Sequence, residues 1–353
     1  MLNSFFDVFL FLKYPLLGLL IAFASISFFW TKIFYSLNFK TYQNIQRVHK
    51  NEVSRLGGIF IYIFMALLVW FEFIQQKIIV NILTSAIPFI LISVKEDLFH
   101  DTSPRLRLIA MALSCLIFFY LNPIDFPLID FPYLGHLISV YPVGIIFFTF
   151  SLLVVMNGMN LIDGMNGLFG LTAIFQLVSI ASIGFFYGDN EVVVVSSIFL
   201  VPLIVFLCFN FPLGKVFVGD TGAYFYGFVI ALLTIYTFGK HNHLLSWLAV
   251  LILFYPCFEL LFSFTRKMSS GLSPLTPDNK HLHTIIFNEL KNKYNRTKFS
   301  NVITTLSLFP LYSIPTTIVL FLFPQISLNI VIIALSSLAI GYIYIYIKLN
   351  NKD

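Results

Sequence analysis

The sequence predicts an all-α, polytopic integral membrane protein: a helical bundle of about 11 transmembrane helices, N-terminus outside and C-terminus cytoplasmic. Three observations predict it. The chain is 59% hydrophobic with a mean hydropathy of +0.91. Only 10% of its 353 residues are charged, against roughly 25% in an ordinary soluble domain, a shortfall too large for a water-exposed surface. Its apolar runs are continuous rather than alternating, which argues against a membrane barrel.

Taken in order, windows of about 20 apolar residues, each long enough to span a bilayer as a helix, centre near Ala22, Phe64, Pro88, Ser114, Ile146, Ile174, Ile198, Ile230, Leu253, Ile314 and Ser336. Those around Pro88 and Ser114 are short and weakly separated. The first segment lacks a basic start and a small-x-small site, so it reads as a span rather than a cleavable signal peptide. Cys115, Cys208 and Cys257 sit inside apolar segments with no CxxC spacing; they read as small hydrophobes, not as disulfides or a zinc site. Residues 1–353 form one membrane-embedded domain, with cytoplasmic loops near 36–55, 95–105, 157–166, 210–220 and 266–298. The last loop is the largest, and a short amphipathic helix is expected in it from His281 to Lys293.

Lysine and arginine set the orientation. Alternate loops carry Lys32, Lys40, Arg47, Lys50 and Arg55; Lys95, Arg105 and Arg107; Lys215; the cluster from Arg266 to Lys298; and Lys348 and Lys352. The other loops hold only Lys13, Lys77 and Lys240, beside the acidic linkers 121–136 and 187–191. The positive-inside rule makes the first set cytoplasmic.

The mixed polar motifs fall on that same side: HKNEVSRLGG (49–58), VKEDLFHDTSPRLR (94–107), NGMNLIDGMNG (157–167), NFPLGKVFVGDTG (210–222) and SPLTPDNKHLH (273–283). Glu96, Asp97, Asp163 and Asp220 bring hard oxygen donors from three loops, without cysteine, which favours Mg²⁺ or Mn²⁺ over zinc. Lys50, Arg105, Lys215, Arg266, His281 and His283 can hold a polyanion, and the glycine turns let backbone approach a ligand. Together these groups read as phosphoryl transfer. Singly, each has a plainer reading: Asp163 or Asp220 as a turn former or helix cap, Arg105 or Arg107 as a lipid-headgroup anchor, and His281 and His283 as part of a solvated loop. Glu72, Asp125, Asp130, Asp189 and Glu191 are expected to be solvated near the outer face, and His241 and His243 to be structural.

In order along residues 45–290, the motifs HKxxVxRLGG (His49 to Gly58), the acidic pair before SPRLRL, NxxNLIDGxxGL (Asn157, Asn160, Asp163, Asn166) and NFPxGKxFxGDTG (Asn210 to Gly222) resemble the polyprenyl-phosphate sugar-1-phosphate transferases, glycosyltransferase family 4. This superfamily includes enzymes that start peptidoglycan lipid, enterobacterial common antigen, teichoic acid and O-antigen synthesis. The resemblance implies transfer of a sugar-1-phosphate, typically of the N-acetylhexosamine type, from a UDP-sugar to undecaprenyl phosphate, releasing UMP. It also implies a Mg²⁺ cofactor that Mn²⁺ could replace, a bacterial inner-membrane location with a cytoplasmic active site, no nucleic-acid partner, and compatibility with a homodimer.

Carried over by position, the resemblance makes Asp220 a metal aspartate with Asp163 beside it. Asp97, Glu96 and Asp163 form the catalytic set, Asp97 handling the lipid phosphate. Lys50, Asn210 and Phe217 would hold the uracil, Asn160 and Asn166 would line the nucleotide region, and Arg266, His281 and His283 would hold the pyrophosphate or sugar. Glu96, Asn166, Glu259 and Thr284 depart from the usual pattern, which is aspartate at the first three positions and histidine at the last; the SPRLRL stretch, GMNG and the ExLFSxxRK pattern (Glu259 to Lys267) resemble a divergent O-antigen or capsule-type subgroup. Asn166 and Thr284 also motivate a catalytically weak, lipid-phosphate-binding relative as the alternative function. A lipid-linked sugar transporter is a further alternative and would require charges in mid-span. Under the transferase reading, residues 157–167 re-enter from the cytoplasmic side as non-helical backbone lining a wet cleft.

Overall fold

The computed structural model describes residues 5–36, 54–131, 133–273, 276 and 278–350. Among them the chain is helical throughout, with one isolated parallel bridge between Ser54 and Val216 in place of any sheet. The helices are α1 (Phe5–Ser36), α2 (Gly57–Trp70), α3 (Lys77–Phe99), α4 (Pro104–Leu121), α5 (Leu134–Ser139), α6 (Tyr141–Ile162), α7 (Leu168–Phe186) and α8 (Asn190–Asn210). They continue with α9 (Gly219–Lys240), α10 (Ser246–Ile252), α11 (Phe254–Ser269), α12 (Leu282–Tyr294), α13 (Thr297–Ser307), α14 (Phe309–Leu322) and α15 (Leu328–Asn350).

Ten of the eleven expected centres fall inside helices, and Leu253 falls at the break between α10 and α11. By length and composition, nine stretches among the described residues can cross a membrane, α13 and α14 together counting as one. The pair α10 and α11 adds a tenth, bent by 80°. At 14 residues, α2 reaches only about 21 Å at 1.5 Å per residue, short of a hydrocarbon core of about 30 Å. The difference from eleven spans lies in these two places.

Helix α9 is the axis of the bundle. Almost its whole length is buried, although its span is the least hydrophobic of the nine. Small residues explain the paradox, because packing rather than hydropathy holds membrane helices together. Gly222 meets Gly58 so closely that a Cβ on either would strike the other's backbone. Around α9 lie α2, α3, α6 and α7. Peripheral helices α1 and α15 instead bury a single stripe each and turn the rest outward, as lipid-facing helices do.

The alternating helix directions bring certain ends together. The C-terminal ends of α3 and α6 and the N-terminal ends of α4 and α9 lie at one end of the bundle, as the ion pairs and hydrogen bonds between them require. Helix α4 starts cleanly there: Ser103 caps it by accepting from the Leu106 N–H at 3.2 Å, with Pro104 at its first position, a favoured arrangement. Segment 54–58 is stitched to 216–218 by three backbone bonds, Phe217 N–H to Ser54 O, Gly57 N–H to Phe217 O and Gly58 N–H to Val218 O, at 2.8, 3.0 and 2.8 Å.

At the opposite end the expectation of solvated acids fails for Asp189. Its side chain is 5% exposed and lies 2.8 Å from Lys240 Nζ and 3.1 Å from His241 Nε2. It also caps α8 through the Val192 N–H. Against the penalty of burial, the Lys240 ammonium holds this carboxyl below its usual range. His241 stacks on Tyr187 at 4.7 Å, the structural role expected of it.

Residues 157–167 also differ from expectation. Helix α6 continues to Ile162, so only 163–167 forms a turn. Within that helix Gly158 serves close packing: a Cβ there would collide with the Pro256 carbonyl of α11. Asn157 bonds back to the Leu153 carbonyl at 2.8 Å within the same helix.

Candidate active site

The site is built around the N-terminus of α9. Gly219 has φ +71°, a left-handed conformation in which a Cβ would press against the Arg55 carbonyl and sit 2.7 and 2.8 Å from the two Asp97 oxygens. Only glycine avoids both costs. Asp97, from the end of α3, therefore reaches the first turn of α9. Its Oδ1 accepts from the Asp220 N–H at 2.8 Å, and its Oδ2 from the Thr221 N–H and hydroxyl at 2.9 and 2.7 Å. A carboxylate at a helix N-terminus is favoured both by the free N–H groups and by the dipole.

Asp220 is held from two sides. Arg55 Nη2 lies 2.6 Å from its Oδ1 and Arg107 Nη1 2.6 Å from its Oδ2. Arg55 Nε is also 3.7 Å from Asp97, and Arg107 is 3.8 Å from Glu96. Asp163, in the turn after α6, accepts from the Gly219 N–H at 3.1 Å. Burial pushes its carboxyl well above the usual carboxylate range, with the Arg55 guanidinium pulling the other way. Four carboxylates thus face two guanidiniums at one end of the bundle. Among the described residues, no three carboxylate, imidazole or thiol groups converge as a self-sufficient metal cage.

Glu96 has a different employment: its Oε2 accepts from the Thr102 N–H and hydroxyl at 2.9 and 2.6 Å, fixing the loop between α3 and α4. Asn160, one turn before Asp163, hydrogen-bonds the Tyr224 side chain of α9.

Several residues expected to bind a nucleotide are engaged in bracing the loops. Asn210 accepts from the Gly167 N–H at 2.6 Å and donates to the Val216 carbonyl at 2.8 Å. Asn166 is buried: its N–H donates to Asn301 at 2.8 Å, its carbonyl accepts from Thr305 at 2.7 Å, and its Nδ2 reaches the Pro212 carbonyl at 3.3 Å. Phe217 is 7% exposed, with its backbone in the bridge to residues 54–57. Lys50 lies outside the described residues.

A second cluster adjoins the first. His283 Nε2 lies 3.3 Å from where a Gly164 Cβ would be, so its ring faces the Asp163 turn. Its ring is parallel to that of His281, with centroids 5.6 Å apart. His281 points Nδ1 at Glu259 and Nε2 at Asp278, each 3.2 Å away. Arg266 holds Asp278 at 2.7 Å. Against the cost of burial, that guanidinium keeps the Asp278 carboxyl below its usual range. Burial pushes His283 down to about 4. The expected amphipathic helix is α12, Leu282–Tyr294, which buries Leu282, His283, Ile286 and Phe287.

Arg55 and Arg107 are the residues that motif reading passed over. Both stand in the quoted motifs, and Arg107 was weighed as a lipid anchor. The alternation RLR places Arg105 and Arg107 on different faces of α4, but only the tertiary arrangement shows that Arg107 turns inward. Asp278, lying between Arg266 and His281, carried no motif signal beyond its charge.

Fold and site together define a polytopic helical membrane protein with an acid–arginine centre at one end of its bundle. Residues 79–238 match the family model described as Glycosyl transferase family 4, a stretch that includes Asp97, Arg107, Asp163 and Asp220. Over these residues the chain is similar to that family. It is 25% identical over 244 residues to a probable undecaprenyl-phosphate N-acetylglucosaminyl 1-phosphate transferase of Bacillus subtilis, covering 67% of this chain and 66% of the relative. It is 26% identical over 267 residues to an undecaprenyl-phosphate alpha-N-acetylglucosaminyl 1-phosphate transferase of Thermotoga maritima, covering 74% and 79%. A protein of the latter description from Escherichia coli is 22% identical over 266 residues, covering 73% and 72%.

Proposed function

We propose that this chain transfers a sugar-1-phosphate, of the N-acetylhexosamine type, from a UDP-sugar to undecaprenyl phosphate, giving the undecaprenyl-diphospho-sugar and UMP and so starting a cell-surface polysaccharide. The observation that carries the reading is the acid–arginine centre: Asp97, Asp163 and Asp220 from three separate elements, with Arg55 and Arg107 on Asp220. Its place in the family-matched region and the names of the relatives supply the substrates.

In this reaction a lipid phosphate oxygen attacks the β-phosphorus of the donor. The bond from that phosphorus to the bridging oxygen breaks, and the oxygen leaves with UMP. The sugar C1–O bond stays intact, so no carboxylate pair for glycoside cleavage is required. The lipid phosphate is already largely ionised at neutral pH, so Asp97, whose two oxygens are taken by the α9 N-terminus, serves chiefly to hold that helix end and Asp220 in place. The buried Arg107 Nε has no partner among the described residues, and the arginines are suited to steadying phosphate oxygens. His283 borders the Asp163 turn, with His281 stacked on it and Arg266 joined to His281 through Asp278, and these residues would meet the diphosphate or the sugar.

A Mg²⁺ ion suits this centre. Four carboxylates against two guanidiniums leave a surplus of two negative charges when all are ionised, and oxygen donors without sulfur match a hard cation. Asp163 and Asp220 would hold it, with substrate phosphates completing a shell the protein alone does not close. Once bound, the ion would neutralise charge developing on the diphosphate. The lysine and arginine distribution supports a cytoplasmic active site in a bacterial inner membrane. A homodimer remains a family-based proposal.

The test is a panel of UDP-N-acetylhexosamines labelled in the sugar, given with undecaprenyl phosphate to the purified full chain. The reading expects one donor to label the lipid in a Mg²⁺-dependent way. No labelled lipid from any donor, with no donor binding, would refute it.

A further inference from the structure

Tyr342 lies in the last helix, beyond the family-matched residues 79–238. Helix α15 is otherwise peripheral, and the stripe it buries is Val331, Leu338, Tyr342 and Tyr346. Within that stripe Tyr342 is fully buried, and its hydroxyl donates to Glu259 Oε2 at 2.8 Å. The other Glu259 oxygen lies 3.2 Å from His281 Nδ1 and accepts from the Leu282 N–H at 3.3 Å. Glu259 is 1% exposed. A buried carboxylate needs every donor it can find, because an unmet one costs far more than a formed bond returns. Each oxygen therefore has a separate tether, one to the last helix and one to the start of α12.

The consequence reaches the site through His281. Facing Nδ1 while Asp278 faces Nε2 at 3.2 Å, Glu259 fixes the ring plane, as carboxylates do for working histidines. The His281 ring lies parallel to His283, and His283 faces the turn that carries Asp163. Rings of Phe258 and Phe262 pack edge-on to Tyr342 at 5.0 and 5.2 Å, so the phenol cannot swing without disturbing α11.

We infer that Tyr342 is a positioning residue for donor binding, holding Glu259 and through it His281 in the orientation that receives the nucleotide-sugar. The inference rests on the proposed transferase function. It also gives the last helix a role in the reaction, although it lies outside the matched region.

Steady-state UMP release by the full chain in detergent, with saturating undecaprenyl phosphate, tests it in Tyr342→Phe, His281→Ala and the double variant. Phenylalanine keeps the aromatic packing and removes only the hydroxyl. The expected result is a KM for the donor raised about tenfold in Tyr342→Phe, with kcat within about twofold, and no further rise when the change is added to His281→Ala. Glu259→Gln, which keeps size and packing, gives a second reading if Tyr342→Phe fails to fold; it should raise KM similarly and be silent in the His281→Ala background. An unchanged KM in Tyr342→Phe would overturn the inference. So would an equal rise in the His281→Ala background, or a loss confined to kcat, as a merely structural role predicts. An active His281→Ala enzyme with ordinary KM would remove His281 from the donor site and refute the inference while leaving the transferase reading standing. Absence of UMP release by the unaltered chain with every donor would be the failure of that reading itself.

Discussion

Replacing Gly219 by alanine puts one methyl group at the most constrained point of the site. The backbone there has φ +71°, a conformation costing an L-residue roughly 1–2 kcal/mol. The new Cβ would lie 2.7 and 2.8 Å from the Asp97 oxygens, so relief to ordinary contact needs a shift of about 0.5–1 Å. Its other neighbour, the Arg55 carbonyl, is backbone tied into the bridge to residues 216–218, and that side cannot yield. Asp97 must then loosen the bonds it accepts from Asp220 and Thr221, each worth about 1.5–3 kcal/mol to a charged group. A misplacement of about 1 Å can cost about a hundredfold in rate. Gly219→Ala should therefore lower UMP release by about a hundredfold or more while the chain still folds and inserts, because the strain is confined to the first turn of α9 and the other helix contacts are untouched. Turnover by initial rates and folded yield by size-exclusion chromatography check this. Turnover within threefold of the unaltered chain would refute the claim that Asp97 and the α9 N-terminus act as one unit.

Three further outcomes follow from the same geometry. Asn166→Asp restores the usual family aspartate, yet it should destabilise by about 1–3 kcal/mol with no gain in turnover, because the Nδ2 donor facing the Pro212 carbonyl would become an acceptor; thermal melting with and without nucleotide checks it. Burial holds His283 down at about 4 against 6.5, so the folded chain binds fewer protons than the unfolded one between those values. Its contribution is present above pH 6.5 and is lost as pH falls towards 4, by at most about 3 kcal/mol; His283→Gln should flatten that part of a melting-against-pH curve. Lys240→Met leaves the buried Asp189 to His241 and the Val192 N–H and should cost about 1–2 kcal/mol, discounted for the exposure of the lysine. Specific activity of its folded fraction should stay unchanged, since this cluster lies at the opposite end of the bundle.

Much of this was legible before the fold was known. Continuous apolar runs located the helices, and the carboxylates of three distant motifs do converge on one helix end. Charged residues are costly in hydrocarbon, so a motif rich in them marks a helix end, which hydropathy reads well. Partner choice was hidden. Nothing local says that Arg107 rather than Arg105 turns inward, or that Asp189 is buried beneath Lys240 rather than solvated. Asn210 and Asn166 looked like ligand contacts because amides in glycine-rich turns suit either task, and here they tie loop to loop. The bond from Tyr342 to Glu259 joins residues 83 apart in sequence. Neither residue stands in a pattern that periodicity could connect, and only the folded bundle brings them together.

The central claim is that the acid–arginine centre moves a phosphate together with its sugar, and the fate of the donor β-phosphate tests it most directly. With UDP-N-acetylhexosamine labelled in that phosphate, the account predicts label in the undecaprenyl product, UMP as the only nucleotide released, and both abolished by Asp220→Asn. Release of labelled UDP with sugar alone on the lipid, or unchanged label transfer in Asp220→Asn, would contradict it.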